Sequence, residues 1–189
     1  MHLEGERRIP ASREAVWAAL NDPAVLRASI PGCEQLTQTA DNAFEALVSV
    51  KVGPVKARME GAVTLGDINP PVSYSISGKG KGAAGFAAGE AKVALAEEEG
   101  GTLLSYTVEA KIGGKLAEVG ARFIDSTAQK MADQFFDSFV AQVTGGTAAA
   151  SGTISAVADG PAPAKNAGLI VLLAAVAIVG GAALYWLLS

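Results

Sequence analysis

An uncharged stretch near the C-terminal end constrains this chain more than any other feature. Residues 167–188 read AGLIVLLAAVAIVGGAALYWLL and contain no charge. As an α-helix they would be about 33 Å long, which matches a hydrocarbon core of about 30 Å. Tyr185 and Trp186 lie where amphipathic aromatic rings favour the lipid–water interface. Because a buried core helix is seldom apolar on every side, we predict one C-terminal transmembrane helix.

The other end of the chain does not resemble a signal peptide. Its first residues, MHLEGERRIP, carry four charges and no apolar run. We therefore expect the protein to insert by its C-terminal stretch alone, as a tail anchor does. We expect the domain on the cytoplasmic side of the cell membrane for two reasons. Lys165 places a positive charge just before the stretch, and the single Cys33 has no partner for an internal disulfide.

Composition separates a folded domain from a linker. Residues 144–166 are rich in Gly, Ala, Ser, Thr and Pro and have no sustained period, which predicts a flexible linker with a reach of roughly 25–29 Å. The preceding residues, 1–143, form the predicted domain. Removing the linker and the tail removes one acid, Asp159, and one base, Lys165, so the domain keeps the net charge of −4. That balance, without a basic stripe, argues against nucleic acid as a partner.

The domain's pattern indicates an α+β fold. An N-terminal strand over 2–9 precedes two short helices, 13–20 and about 23–28, whose starts carry the capping residues Ser12 and Asp22. Six strands with a period of two follow between 34 and 112, and an amphipathic helix spans 115–143. We predict a curved antiparallel sheet of about seven strands wrapped around a long C-terminal helix.

Four motifs in this order resemble one known family. They are IPGCE (30–34), VGPVKA (52–57), the glycine-rich run 78–89 and GKLAEVG (114–120). The chain resembles the G-subunit family of carbon monoxide dehydrogenase, within the helix-grip, START-type and polyketide-cyclase-like superfamily. The resemblance covers residues 1–143, and longer members of the family also end in a membrane anchor. It implies a membrane-recruiting accessory protein of molybdenum hydroxylases, with a cavity able to hold a hydrophobic small molecule.

The candidate site is the space between the sheet and the long helix. Apolar side chains with a few hydroxyl groups suit a lipophilic ligand. Small inward-facing residues, among them Gly61, Ala91 and Ala110, favour a void, whereas an ordinary filled core is the alternative. The predicted lining residues are Val50, Met59, Val63, Tyr74, Val93, Tyr106, Val108, Gly120, Phe123, Thr127 and Met131.

Residues for catalysis are sparse. Residues 80–85 satisfy G-x-G-x-x-G, but a strand follows them, so we interpret the run as a mobile loop at a cavity mouth with Lys79 and Lys81 exposed. His2, the only histidine, is expected at a frayed terminus, and Cys33 has no histidine near it in sequence. No metal-ligand spacing occurs. We expect no enzyme, no metal and no covalent cofactor.

These expectations combine into one functional hypothesis. The protein recruits a cytoplasmic carbon monoxide dehydrogenase-type molybdenum hydroxylase to the membrane and carries a lipophilic ligand to it. A respiratory quinone, menaquinone or ubiquinone, is the natural candidate, because such an enzyme must pass electrons to a pool dissolved in membrane lipid. Two alternatives stay open: a plain membrane adapter with a filled core, and a small cyclase or hydrolase that acts on a lipid.

Overall fold

A computed structural model of the protein describes residues 1–149. Its elements follow the predicted order of one strand, two short helices, six strands and a long helix. They are β1 (His2–Ile9), α1 (Arg13–Leu20), α2 (Pro23–Ser29), β2 (Cys33–Ala40), β3 (Ala43–Val52), β4 (Val55–Asn69), β5 (Ser73–Gly82), β6 (Gly85–Glu98), β7 (Gly101–Gly113), α3 (Lys115–Glu118) and α4 (Ala121–Ala149). The α+β prediction is confirmed. The predicted transmembrane helix at 167–188 lies outside the described residues, and within them no helix is both long and apolar enough to cross a bilayer.

The seven strands form one open antiparallel sheet. Their order is β1-β7-β6-β5-β4-β3-β2, so every strand from β2 to β7 pairs with its neighbour in sequence, and β1 joins the edge formed by β7. Strand β4 shows why the sheet has one wet and one buried face: Met59, Val63 and Leu65 are at most 4% exposed, whereas Arg58 and Glu60 face solvent. The buried inner face is the face that α1, α2 and α4 cover.

The two short helices begin where their capping residues predict. The Ser12 hydroxyl accepts a hydrogen bond from the Ala15 N–H at 3.3 Å, and an Asp22 carboxylate oxygen accepts one from the Ala24 N–H at 2.8 Å. Pro23 occupies the first turn of α2, where its missing N–H leaves no intrahelical bond unmade. Both helices therefore bury their apolar faces against α4 and the sheet.

The prediction of one continuous helix over 115–143 is wrong in its first part. Gly120 has a φ of 92°, a left-handed conformation that separates the single turn of α3 from α4. The long helix starts at Ala121 instead, and it continues to Ala149.

Two further expectations are corrected by strand pairing. The N-terminus is not frayed: His2 pairs in register with Glu109, and the Met1 ammonium donates to the Ala110 carbonyl at 2.7 Å. The run 80–85 is not a mobile loop, because only Ala83 and Ala84 form a turn and its other residues belong to β5 and β6. The strand predicted after the run is confirmed.

Candidate ligand cavity between the sheet and the long helix

The C-terminal half of α4 packs against the sheet through aromatic rings. Phe135, Phe136 and Phe139 are at most 1% exposed. The ring of Phe136 stacks on Tyr106 of β7 at a centroid distance of 5.6 Å, and Phe135 stacks on Phe139 at 5.6 Å. Such pairs add to the stabilisation that comes from buried area alone. We call this region the aromatic half of the interface.

The inner face near the β5–β6 turn has almost no side chains. Cross-strand partners show the pattern: Gly61 lies beside Gly80, and Gly78 lies between Val63 and Gly89. We call this patch the glycine floor, and it comprises Gly61, Gly78, Gly80, Ala87, Gly89 and Ala110. A packed core would normally place branched side chains at these central positions of a sheet.

At some positions near the glycine floor, glycine is required by close backbone contacts alone. A Cβ at Gly89 would lie 2.4 Å from the carbonyl oxygen of Glu109, and one at Gly82 would lie 2.4 Å from that of Arg58. Close backbone approach therefore requires glycine at both positions. The sulfur of Met59 also covers Gly82, which removes that residue from the open part of the inner face.

The first turns of α4 lie over the same end of the sheet as the glycine floor, and they present small or slender side chains to the interior. Ile124, Ala128 and Met131 are 7%, 6% and 7% exposed. Within residues 1–149, the backbone of α4 comes closest to α2 and, among the strands, to β1 and β3, and it stays farther from β5 and β6.

Most of the predicted lining residues lie on the inner face of the sheet, spread along its length from Val50 near the β3–β4 turn to Tyr74 near the β4–β5 turn. Seven of them lie on the inner face of the sheet and are at most 5% exposed: Val50, Met59, Val63, Tyr74, Val93, Tyr106 and Val108. Met131 faces them from α4. Their contact with a ligand stays a prediction.

The three other predicted residues lie elsewhere. Gly120 is exposed at the break before α4, not on an inward helix face. Phe123 is 53% exposed and its ring lies against the β3–β4 turn at Gly53. Thr127 is half-buried, and its hydroxyl donates to the Phe123 carbonyl at 2.7 Å. The buried stripe of α4 runs through Ile124, Ala128 and Met131, so Phe123 and Thr127 lie at its side and not on it.

Sequence reasoning missed the glycine floor because it interpreted residues 80–85, which include the end of β5, as a loop. The signal was present in the alternation Gly78-Lys79-Gly80-Lys81-Gly82. A period of two with a lysine at every outward position is typical of a strand that has one wet face. Because glycine has a low strand propensity, we did not predict a strand from that period.

Tyr74 is a buried polar group without a partner. Its side chain lies edge-on to Trp17 of α1, with ring centroids 5.3 Å apart, and it is 4% exposed. The hydroxyl has no hydrogen-bond partner within the described part of the chain. Burial raises the pKa of Tyr74 well above its ordinary value, so the group is a neutral donor at physiological pH. It could donate to a carbonyl oxygen of a bound molecule.

The other candidate groups for chemistry are not assembled. Burial raises the pKa of the Cys33 thiol, which disfavours the nucleophilic thiolate. On the outer face, the His2 imidazole donates a hydrogen bond to the Glu109 carboxylate, and this bond raises the pKa of the imidazole. Among residues 1–149, no three His, Cys, Asp or Glu side chains come together in a way that could hold a metal ion.

The architecture defines a class of protein before any sequence comparison. The fold is the helix-grip fold: a seven-stranded antiparallel sheet with two short helices after its first strand and a long C-terminal helix across its inner face. The chain belongs to the carbon monoxide dehydrogenase G-subunit (CoxG) family, which matches residues 5–144. A comparison with curated protein sequences gives no match.

Solved structures agree with this class. A conserved protein from Geobacillus kaustophilus is 27% identical with a TM-score of 0.73, over 77% of this chain and 96% of that one. An aromatase/cyclase from Streptomyces sp. R1128 is 12% identical with a TM-score of 0.58, over 81% and 99% of the two chains. The protein Ara h 8.0201 is 14% identical with a TM-score of 0.55, over 77% and 98%. The last two similarities concern the fold alone.

Proposed function

We propose that this protein is a non-enzymatic membrane-anchored accessory protein that carries a lipophilic molecule to a carbon monoxide dehydrogenase-type molybdenum hydroxylase. One observation carries the ligand part of the proposal: the inner face of the sheet at the glycine floor carries almost no side chains, and α4 presents the small Ala128 to the interior. Apolar side chains surround that space, and pockets of this kind bind apolar molecules. Family membership supports the partner, and the uncharged residues 167–188 support the anchor.

A respiratory quinone fits the proposed site chemically. Its ring and tail are apolar, which suits the buried apolar side chains on the inner face of the sheet. A hydroxylase outside the membrane must pass its electrons to acceptors dissolved in lipid. Carriage of menaquinone or ubiquinone on a tethered domain would connect the two.

The experiment is mass spectrometry of organic extracts from the purified full-length chain. Its matched control is Ala128→Phe, which carries the same residues 167–188 and therefore the same background of bound lipid. We expect a quinone in near-equal molar amount in the parent and its loss in the variant. Identical extracts from the two proteins would contradict ligand carriage, and a chemically altered product on incubation would favour the enzyme alternative.

Recruitment is measured separately by fractionating cells that contain or lack this protein. We expect the molybdenum hydroxylase to move from the membrane to the cytosolic fraction when the protein is absent. A hydroxylase that stays on the membrane would contradict recruitment. Recruitment without an extracted ligand would support the plain adapter.

A further inference from the structure

Three segments meet at the end of the domain where α4 begins. The Leu116 N–H of α3 donates to the Ala84 carbonyl in the β5–β6 turn at 3.0 Å. The Phe123 ring lies against Gly53 in the β3–β4 turn. These contacts join residues 49–58, 79–86 and 111–123 into one surface, which we call the basic end.

The basic end carries an unusual charge for an acidic protein. Its three segments contain eight lysines and arginines and one acid, Glu118. The turns at the opposite end, residues 40–42, 66–72 and 97–101, contain five acids and no base. The domain is therefore strongly polarised, although its net charge is negative. This charge separation could not be predicted from the sequence, because no single segment is a basic run.

The cations of the basic end lack internal partners. Arg58 is the exception, since it donates to Glu34 at 2.8 Å. Within residues 1–149, no lysine lies in an ion pair with a carboxylate, and Lys51 and Lys56 stand directly opposite each other on neighbouring strands. Like charges in that arrangement destabilise a sheet. Two acids of the opposite end are instead paired with cations from neighbouring segments: Arg13 contacts Glu97 at 3.0 Å, and Arg8 contacts Glu98.

Apolar groups lie in the middle of the basic end. Phe123 is 53% exposed, the larger value of the two large hydrophobic side chains that face solvent in the described chain. Pro54, Ala83, Ala117 and Ala121 are also exposed on the same three segments. An exposed aromatic ring and several lysines at one end of a domain are typical of a surface that rests on a membrane. Protein interfaces are depleted in lysine, so a protein partner fits this surface less well.

We propose that the basic end docks on the surface of a bilayer that contains anionic lipid, with Phe123 entering the headgroup region. The acidic end then faces away from the membrane, so the polarity sets the orientation of the domain. The inference rests on the proposed function only for the purpose of docking: the glycine floor adjoins the β5–β6 turn at this same end, so docking would bring the proposed ligand site close to the lipid.

The test uses the full-length chain with Cys33→Ser and one fluorophore on a new cysteine. Ala121→Cys places it at the basic end, and Ala40→Cys places it at the opposite end; both alanines are exposed. The protein is mixed with vesicles of phosphatidylcholine or of an equimolar mixture with phosphatidylglycerol, each carrying a nitroxide-lipid quencher. We expect quenching at 121 in the anionic vesicles only, and little quenching at 40.

Charge variants sharpen the result. Lys51→Gln and Lys56→Gln should each lower the docked fraction about fivefold, the contribution typical of one basic residue near an anionic surface. Asp41→Asn with Glu99→Gln, at the opposite end, is the matched control and should lower nothing. Equal quenching of the 121 label in both vesicle types, or equal losses from both pairs of variants, would overturn the proposal. Burial of the label only after the molybdenum hydroxylase is added would overturn it in favour of a protein interface.

The outcome is separable from the proposed function. Organic extracts of the same preparations report the ligand independently of docking. Docking with an empty extract supports this inference and contradicts ligand carriage. A bound ligand without docking contradicts this inference and leaves ligand carriage in place.

Discussion

The two halves of the helix–sheet interface are built differently along one helix. In the aromatic half, Phe135, Phe136 and Phe139 fill the space between α4 and the sheet. In the other half, the same sheet presents the glycine floor and the same helix presents Ile124 and Ala128. One half supplies the packing that holds the domain together, which leaves the other free to depart from close packing. Under the proposed function, this division lets a small domain combine stability with a site for a ligand.

The largest expected effect comes from removing a ring in the aromatic half. Phe139→Ala should lower the free energy of unfolding by about 3–5 kcal/mol, because the ring is fully buried and its loss leaves a cavity. Phe123→Ala is the control at the other end of α4, and it should cost about 1 kcal/mol or less since half of its ring is in solvent. Denaturant unfolding measures both. Similar losses for the two variants would remove the distinction between the halves.

A smaller effect of opposite sign is expected at Tyr74. Its buried hydroxyl has no partner among the described residues, so Tyr74→Phe should raise the free energy of unfolding of the ligand-free chain by about 1 kcal/mol. The same variant should lose affinity for any ligand that accepts a hydrogen bond from this group. A clear loss of stability in the ligand-free protein would mean that the hydroxyl has an internal partner.

The smallest effect concerns the outer surface of the glycine half. Glu34 of β2 accepts hydrogen bonds from Arg58 of β4 and from Ser49 of β3, and these bonds lower the pKa of its carboxyl group. A lowered pKa stabilises the folded state above the ordinary glutamate value of about 4.3, and this contribution is lost as pH falls through the folded-state pKa.

Glu34→Gln should therefore be slightly less stable than the parent at neutral pH, and the difference should disappear in acid. Denaturant midpoints at several pH values measure it. A difference that grows as pH falls would contradict the assigned direction.

The strands and the capped helices could be predicted from sequence because each depends on local chemistry. Strand β1 and helix α1 have the bounds that hydrophobic period and the Ser12 cap indicated. The helix break at Gly120 could not be predicted from local sequence, because glycine also occurs inside continuous helices. Only the φ of 92° shows that Gly120 ends α3 and does not continue the helix.

The site was predictable in part. The inward residues of the sheet follow from alternation alone, so Val63, Val93 and Val108 lie where they were expected. The glycine floor and the basic end depend on which strands become neighbours, a long-range property that a single sequence does not display. Phe123 is an example of this limit of sequence-based prediction. Its spacing fits an inward helix face, whereas its side chain is exposed at the start of α4.

Two alanines on α4, one helical turn apart, test the central claim most directly. Ala128 lies over the glycine half and Ala132 over the aromatic half, and both are at most 6% exposed. Ala132→Phe should overpack the aromatic half and lower the free energy of unfolding by about 1–3 kcal/mol. Ala128→Phe should fill open space, so we expect unfolding within about 0.5 kcal/mol of the parent, together with loss of the extracted ligand. Equal and large destabilisation by both variants would contradict the account, because it would show that the interface is packed along its whole length.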